Sequence, residues 1–145
     1  MSNPFMTEAL LEAKKAAALG EVPVGTVLVK DNTIICRAHN QSESGGTILA
    51  HAELIVLAEA LKKLGTKRLT GCSLYVTMEP CPMCAGAISL AAPDRVYFGA
   101  YDALNGACGG KLDLFQNSHI EVYGGIMEQD CKELLQRFFA ERRQK

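Results

Sequence analysis

The sequence predicts an α/β domain of three layers, α/β/α, with helices on both faces of a mixed five-stranded sheet. Three observations lead there. A helical stretch and a hairpin come first, and helices and strands then alternate, which points to a sheet of mixed direction. Five short runs rich in branched residues lie between stretches whose apolar residues recur at helical spacing. The 145 residues carry no linker, repeat or low-complexity tract, so they suit one domain, residues 1–145. A chain of this length buries roughly 68 to 70% of the surface that its unfolded form exposes.

Asn3-Pro4 has the form of an N-cap and a first-turn proline. Apolar residues follow at Phe5, Met6, Ala9, Leu10, Ala13, Ala16 and Ala17, giving a helix that ends at Gly20. Residues 24–30 and 33–38 are strands joined by the two-residue turn Asp31-Asn32. Residues 40–47, NQSESGGT, are polar and aperiodic and form a loop. Residues 50–64 follow as a largely buried helix with Leu54, Leu57, Ala58 and Leu61 at helical spacing, stopped by Gly65. Residues 73–77 form a strand that runs into Cys81-Pro82-Met83-Cys84, and a helix continues through residues 85–91. Residues 95–100 are a further strand, residues 105–110 a glycine-rich surface loop, and residues 120–123 the last strand. From Met127 onward, Cys131, Leu134, Leu135, Phe138 and Phe139 describe an amphipathic closing helix.

The chain shows no apolar run of signal-peptide or transmembrane type, so a cytoplasmic protein is expected. In a reducing compartment its six cysteines argue for metal or thiol chemistry before disulfides. A net charge of -1 gives no global sign of a nucleic-acid partner. Local basic patches remain: Lys132, Arg137, Arg142, Arg143 and Lys145 against Glu133 and Glu141, and a second cluster at Lys62, Lys63, Lys67 and Arg68.

Cys81 and Cys84 stand three positions apart, so one helical turn presents both sulfurs to a single ion. Pro82 suits the opening of a helix, whose free amides and positive dipole end favour thiolate. His51-Ala52-Glu53 is the natural source of a third ligand. On a regular helix His51 and Glu53 point about 200° apart, so both serve one site only where they straddle a helix start. One histidine and two thiolates leave the fourth tetrahedral position for water, as in a catalytic zinc site. Zinc brings such a water to a pKa of about 7, and Glu53 is the candidate proton shuttle.

Two other readings compete. A lone CxxC also serves as a redox pair, though usually in a thioredoxin-like context, and the added HxE fits zinc better. A structural zinc needs a fourth ligand from Cys108, Cys72, His39 or His119, and leaves Glu53 without a role. Cys36, Cys72, Cys108 and Cys131 are otherwise expected to pack as small apolar side chains.

His51-Ala52-Glu53 with Pro80-Cys81-Pro82-Met83-Cys84 resembles the HxE and PCxxC signature of zinc-dependent nucleobase deaminases, the cytidine/deoxycytidylate deaminase superfamily. The likeness extends to Glu21-Val22-Pro23-Val24-Gly25, Leu74-Tyr75-Val76-Thr77, Glu79-Pro80-Cys81, Met83-Cys84-Ala85-Gly86-Ala87, Phe98-Gly99-Ala100, Phe138-Phe139 and Arg142-Arg143. Together these resemble the bacterial tRNA-specific adenosine deaminases over nearly the whole chain. The resemblance implies a cytidine deaminase-like fold and one zinc ion per subunit on His51, Cys81 and Cys84. It also implies proton transfer by Glu53 and attack by zinc-bound hydroxide on C6 of the wobble adenosine, giving inosine. By the same likeness Asn40 and the backbone around Val24 and Ala52 line the base pocket. The implied partners are a tRNA anticodon loop, of the arginine tRNA with anticodon ACG, and a second copy in a homodimer whose RNA site draws on both subunits. Tyr101, Leu104 and Ala140 depart from the family by replacing residues that are commonly basic. The runner-up is a deaminase of a free base or nucleoside, of guanine or cytosine type, and a third possibility is a structural-zinc binding module.

Overall fold

The computed structural model describes residues 2–143, so Lys145 of the basic tail lies outside the described residues. Asn3 caps the first helix, α1 (Pro4–Ala18), its side chain accepting from the Phe5 and Met6 amides. Strands β1 (Gly25–Lys30) and β2 (Thr33–His39) pair antiparallel through Asp31 and Asn32, whose φ values of 51° and 61° make the left-handed turn that a tight hairpin needs. Helix α2 (Ala52–Leu64) leads to β3 (Cys72–Met78), α3 (Pro82–Ala91), β4 (Arg95–Ala100), β5 (Glu121–Tyr123) and α4 (Glu128–Arg143).

The sheet runs β2-β1-β3-β4-β5. Strand β1 is antiparallel to both neighbours, while β3, β4 and β5 are parallel. Successive strand residues face opposite sides, so Leu28 and Leu74 join Val56, Leu57, Ile88 and Val96 beneath α2 and α3. Val27 and Tyr75 face the other way, with Met6, Leu10, Cys131 and Leu135 of α1 and α4. This is the three-layer arrangement that the element order predicts. Two glycines let the helices sit flush: a Cβ at Gly25 would overlap the α1 backbone at Ala9, and one at Gly99 would overlap Cys131 Sγ of α4.

Strand directions gather the functional loops at one edge. The β1–β2 register sets Gly25 opposite His39, and β1–β3 pairing sets Thr26 opposite Val76. The start of β1 and the ends of β2, β3 and β4 therefore lie together, bringing Val24, Asn40, the segment after Met78 and the segment after Ala100 around one concavity.

The structure departs from the sequence reading in three places. Helix α2 begins at Ala52 rather than residue 50, because Asn40 Oδ1 accepts from the Ala52 amide (2.8 Å) and holds His51 in extended backbone. Its buried residues are Ala52, Glu53, Val56, Leu57 and Ala60, so of the stripe Leu54, Leu57, Ala58 and Leu61 only Leu57 is fully buried; Leu54 and Leu61 are partly buried and Ala58 is exposed. The segment 105–110 is also no simple surface loop, since Gly106 and Ala107 are buried.

Candidate active site

His51 and Cys81 occupy corresponding places, each the N-cap of its helix in extended backbone, and Cys84 lies one turn into α3. Two helix N-termini thus converge on one point, where free amides and positive dipole ends favour anionic sulfur. His51 Nδ1 lies 3.8 Å from Cys81 Sγ and 3.4 Å from Cys84 Sγ, and all three donor atoms lie within 4.8 Å of one another. Zinc at about 2.3 Å from sulfur and about 2.0 Å from nitrogen, in tetrahedral geometry, separates such N and S donors by roughly 3.5 Å. The two observed N–S distances bracket that value, so the donor set fits the ion. Among the described residues no fourth histidine, cysteine or carboxylate joins the group, so Cys72, Cys108, His39 and His119 stand apart from it.

Glu53, at the second position of α2, lies beside the Cys84 thiol and is 4% exposed. Burial pushes its carboxyl up to about 7, against the pull of its own backbone amide and of His51. The neighbouring Cys84 side chain, opposed by burial, holds Cys81 down at about 5. The Cys81 side chain, together with burial, pushes Cys84 up. A bound divalent cation would hold both sulfurs as thiolates. Cys108, which burial and the nearby Glu79 carboxylate push up to about 12, is a protonated thiol at neutral pH.

His51, Glu53 and Cys81 open onto a cavity of about 350 Å³, bounded also by Val24, Asn40 and Asp102. That size is at the small end of the roughly 300 to 1,000 Å³ usual for small-molecule sites. Asn40 is oriented by the Ala52 amide, and Val24 faces the cavity directly. Ala52 itself is fully buried, its N–H donating to Asn40 and its C=O accepting from Thr26 Oγ1, while His51 and Glu53 on either side of it line the cavity.

Two carboxylates received no role from the sequence. Glu21 and Glu79 are 1% and 3% exposed, and each accepts backbone amides from a loop at the cavity mouth. Glu21 takes the Glu43 and Ser44 amides at 3.0 and 2.6 Å. Glu79 takes those of Asp102, Cys108 and Gly110 at 2.8, 2.9 and 2.7 Å. The available signal was an acid one or two residues before a proline at a strand boundary, with a polar, glycine-containing loop elsewhere whose amides lacked acceptors.

A separate groove of about 390 Å³ lies between Tyr101 and α4, lined by Glu128, Lys132, Phe139 and Arg143. Tyr101 is half exposed, its ring edge-on to Phe98, while Leu104 is largely exposed and Ala140 partly buried. Lys132, Arg137, Arg142 and Arg143 are exposed along α4, with Arg142 over the Phe138 ring. Lys62, Lys63, Lys67 and Arg68 are also exposed. Among the described residues no helix is long and apolar enough to cross a membrane.

Comparison with known proteins adds to this geometry. The cytidine and deoxycytidylate deaminase zinc-binding region matches residues 1–100. A tRNA-specific adenosine deaminase of Bacillus subtilis (strain 168) is 50% identical over 145 residues, covering 97% of this chain and 90% of its own. A structure from biochemical and structural studies of A-to-I editing by tRNA:A34 deaminases, at the wobble position of transfer RNA, superposes with a TM-score of 0.87 at 42% identity, covering 91% of this chain and 99% of its own. The X-ray structure of a guanine deaminase from Bacillus subtilis superposes with a TM-score of 0.65 at 38% identity, covering 70% of this chain and 66% of its own.

Proposed function

The chain belongs to the cytidine and deoxycytidylate deaminase zinc-binding family, and within it we propose a hydrolytic deaminase that converts adenosine to inosine at wobble position 34 of a tRNA. The carrying observation is a three-donor metal site, His51, Cys81 and Cys84, opening onto a cavity beside the buried carboxyl of Glu53. The 50% identity to a tRNA-specific adenosine deaminase supports the choice of substrate. The protein acts as one domain, residues 1–145, in the cytoplasm.

A zinc ion on these three residues, one per chain, supplies the Lewis acidity that makes a water nucleophilic at neutral pH. Glu53 takes a proton from that water and returns protons to the base as the C6–O bond forms and the C6–N bond breaks, so adenosine and water give inosine and ammonia. Burial favours the protonated form of the Glu53 carboxyl, which helps it to keep the proton it takes until the base receives it. Asn40, whose Oδ1 is held by Ala52, turns its NH2 toward an acceptor on the base, and Val24 packs against the ring. The backbone around Ala52, between His51 and Glu53 at the cavity, completes the base pocket, and the Ala52 amide orients Asn40.

The tRNA reading gains support from the groove beside the cavity, where Tyr101 and Phe139 offer rings for stacking and Lys132 and Arg143 offer charge to phosphates. The exposed Ala58 on α2 and the 81% exposed Leu90 on α3 support pairing of two copies as a homodimer. Zinc-loaded protein incubated with the anticodon stem-loop of an arginine tRNA, anticodon ACG, should form inosine at the wobble position. Ammonia release from free guanine without RNA, and no inosine in the stem-loop, would assign a free-base deaminase instead.

A further inference from the structure

Glu79 is a buried acid that the deamination chemistry does not use. It follows β3, two residues before Cys81, and both of its oxygens face amides of the 101–110 segment. Oε1 accepts from Asp102, and Oε2 accepts from Cys108 and Gly110. The main chain strengthens the junction: the Glu79 N–H donates to Ala100 (2.8 Å), and the Ala107 N–H donates to Pro80 (2.9 Å). The segment closes around the carboxylate so tightly that a Cβ at Gly106 or Gly110 would overlap it. Gly106 and Gly110 thus make room for an acid about 30 residues away.

The order passes on to the cavity. Asp102, fixed through its amide, accepts the Leu104 and Asn105 amides on Oδ1 at 3.1 and 3.0 Å, and Asp102 and Asn105 both line the cavity. We propose that Glu79 is a positioning residue whose carboxylate shapes the 101–110 segment so that Asp102 and Asn105 form one wall of the substrate cavity, and that it thereby sets substrate affinity. This rests on the deaminase reading in taking a nucleobase as the occupant. With both oxygens filled by N–H donors, Glu79 carries no proton in the reaction.

Glu79→Gln is the test, because an amide retains one acceptor oxygen and turns an NH2 toward donors on the other side. With the anticodon stem-loop as substrate and zinc content equal to wild type, KM should rise about tenfold while kcat stays within about threefold. The pH profile of kcat should keep its shape. Hydrogen exchange across residues 102–110 should accelerate. Gly110→Ala, whose Cβ would overlap both the Glu79 carboxylate and the Asp102 carbonyl, displaces the same segment and should act in the same way, and the double variant should be no worse than the worse single one. A fall in kcat at unchanged KM would mean only a lost folded fraction and would overturn the proposal. A lost limb of the pH profile, additive effects, or unchanged exchange in residues 102–110 would also overturn it. If wild type forms no inosine, the deaminase reading fails, while the exchange measurement still decides whether Glu79 holds the segment. If Glu79→Gln does not fold, Gly110→Ala carries the same measurements.

Discussion

Replacing Glu53 with glutamine removes a titrating group while preserving its shape, and activity and stability should respond in opposite directions. General acid–base groups contribute about 10²- to 10⁴-fold, or roughly 3 to 5 kcal/mol of barrier. The upper end is expected here. Of the other two carboxylates lining the cavity, Glu79 has both oxygens occupied by backbone amides, and Asp102 Oδ1 is held by the Leu104 and Asn105 amides. Stability changes the other way in metal-free protein. Folding raises the Glu53 pKa from 4.5 to about 7 because burial disfavours the anion. The stabilisation that goes with the folded state's tighter proton is therefore complete below about 4.5 and is lost as pH rises through about 7. A difference of that size is worth on the order of 3 kcal/mol. Urea unfolding in chelator should show wild type losing about that much relative to Glu53→Gln between pH 4.5 and 8, while single-turnover inosine formation by the zinc-loaded variant nearly vanishes. A variant with normal zinc content that turns over within about tenfold of wild type would refute the proton-transfer role. Parallel pH–stability curves would refute the burial argument.

Cys84→Ala should lose both metal and stability. With free zinc 100-fold above its Kd, the lost linkage is about 2.7 kcal/mol, or roughly 5 to 10 °C in Tm, and a zinc-free variant with unchanged Tm would overturn the claim. Burial raises the Glu21 carboxyl, but the Glu43 and Ser44 amides outweigh it and hold the group below 4.5. Its contribution is thus present above 4.5 and lost as pH falls through the lower folded value, so the stability gap between wild type and Glu21→Gln should close in acid; a gap that widens would be the wrong sign. Lys132→Ala and Arg143→Ala should each weaken stem-loop binding and lower the slope of log K against log salt by about 0.7, as for one lost phosphate contact on a single strand. Unchanged slopes would remove the groove from the RNA site.

The legible parts of the sequence were those written in local spacing. Strand runs, the Asp31-Asn32 turn and the Asn3 cap each depend on neighbours within a few residues, and the structure places them as read. The grouping of His51 with Cys81 and Cys84 spans 30 residues, but HxE and CxxC are each local signs of the same ion. The inward face of α2 was legible only in part, because Leu54, Leu57, Ala58 and Leu61 keep the same helical period as Ala52, Val56 and Ala60, and of the four only Leu57 is fully buried. What decided between the two faces was contact with the sheet, where the smaller residues approach closely, and the late helix start set by Asn40. The roles of Glu21 and Glu79 were out of reach for a different reason. Their partners are backbone amides of loops roughly 20 to 30 residues distant, and an amide has no letter in the sequence.

Tyr101 and Asp102 are adjacent in the chain, yet one faces the groove along α4 and the other faces the metal cavity. The partition between the two concavities is therefore a crest of backbone only one residue wide. A polynucleotide that sets one base at the metal and the next over Tyr101 must break its stack at that crest and reverse direction across it. A sharply turned loop arrives already bent, whereas a strand in a regular helix would first have to be unwound. Substrate choice can thus begin with curvature, before any base edge is read.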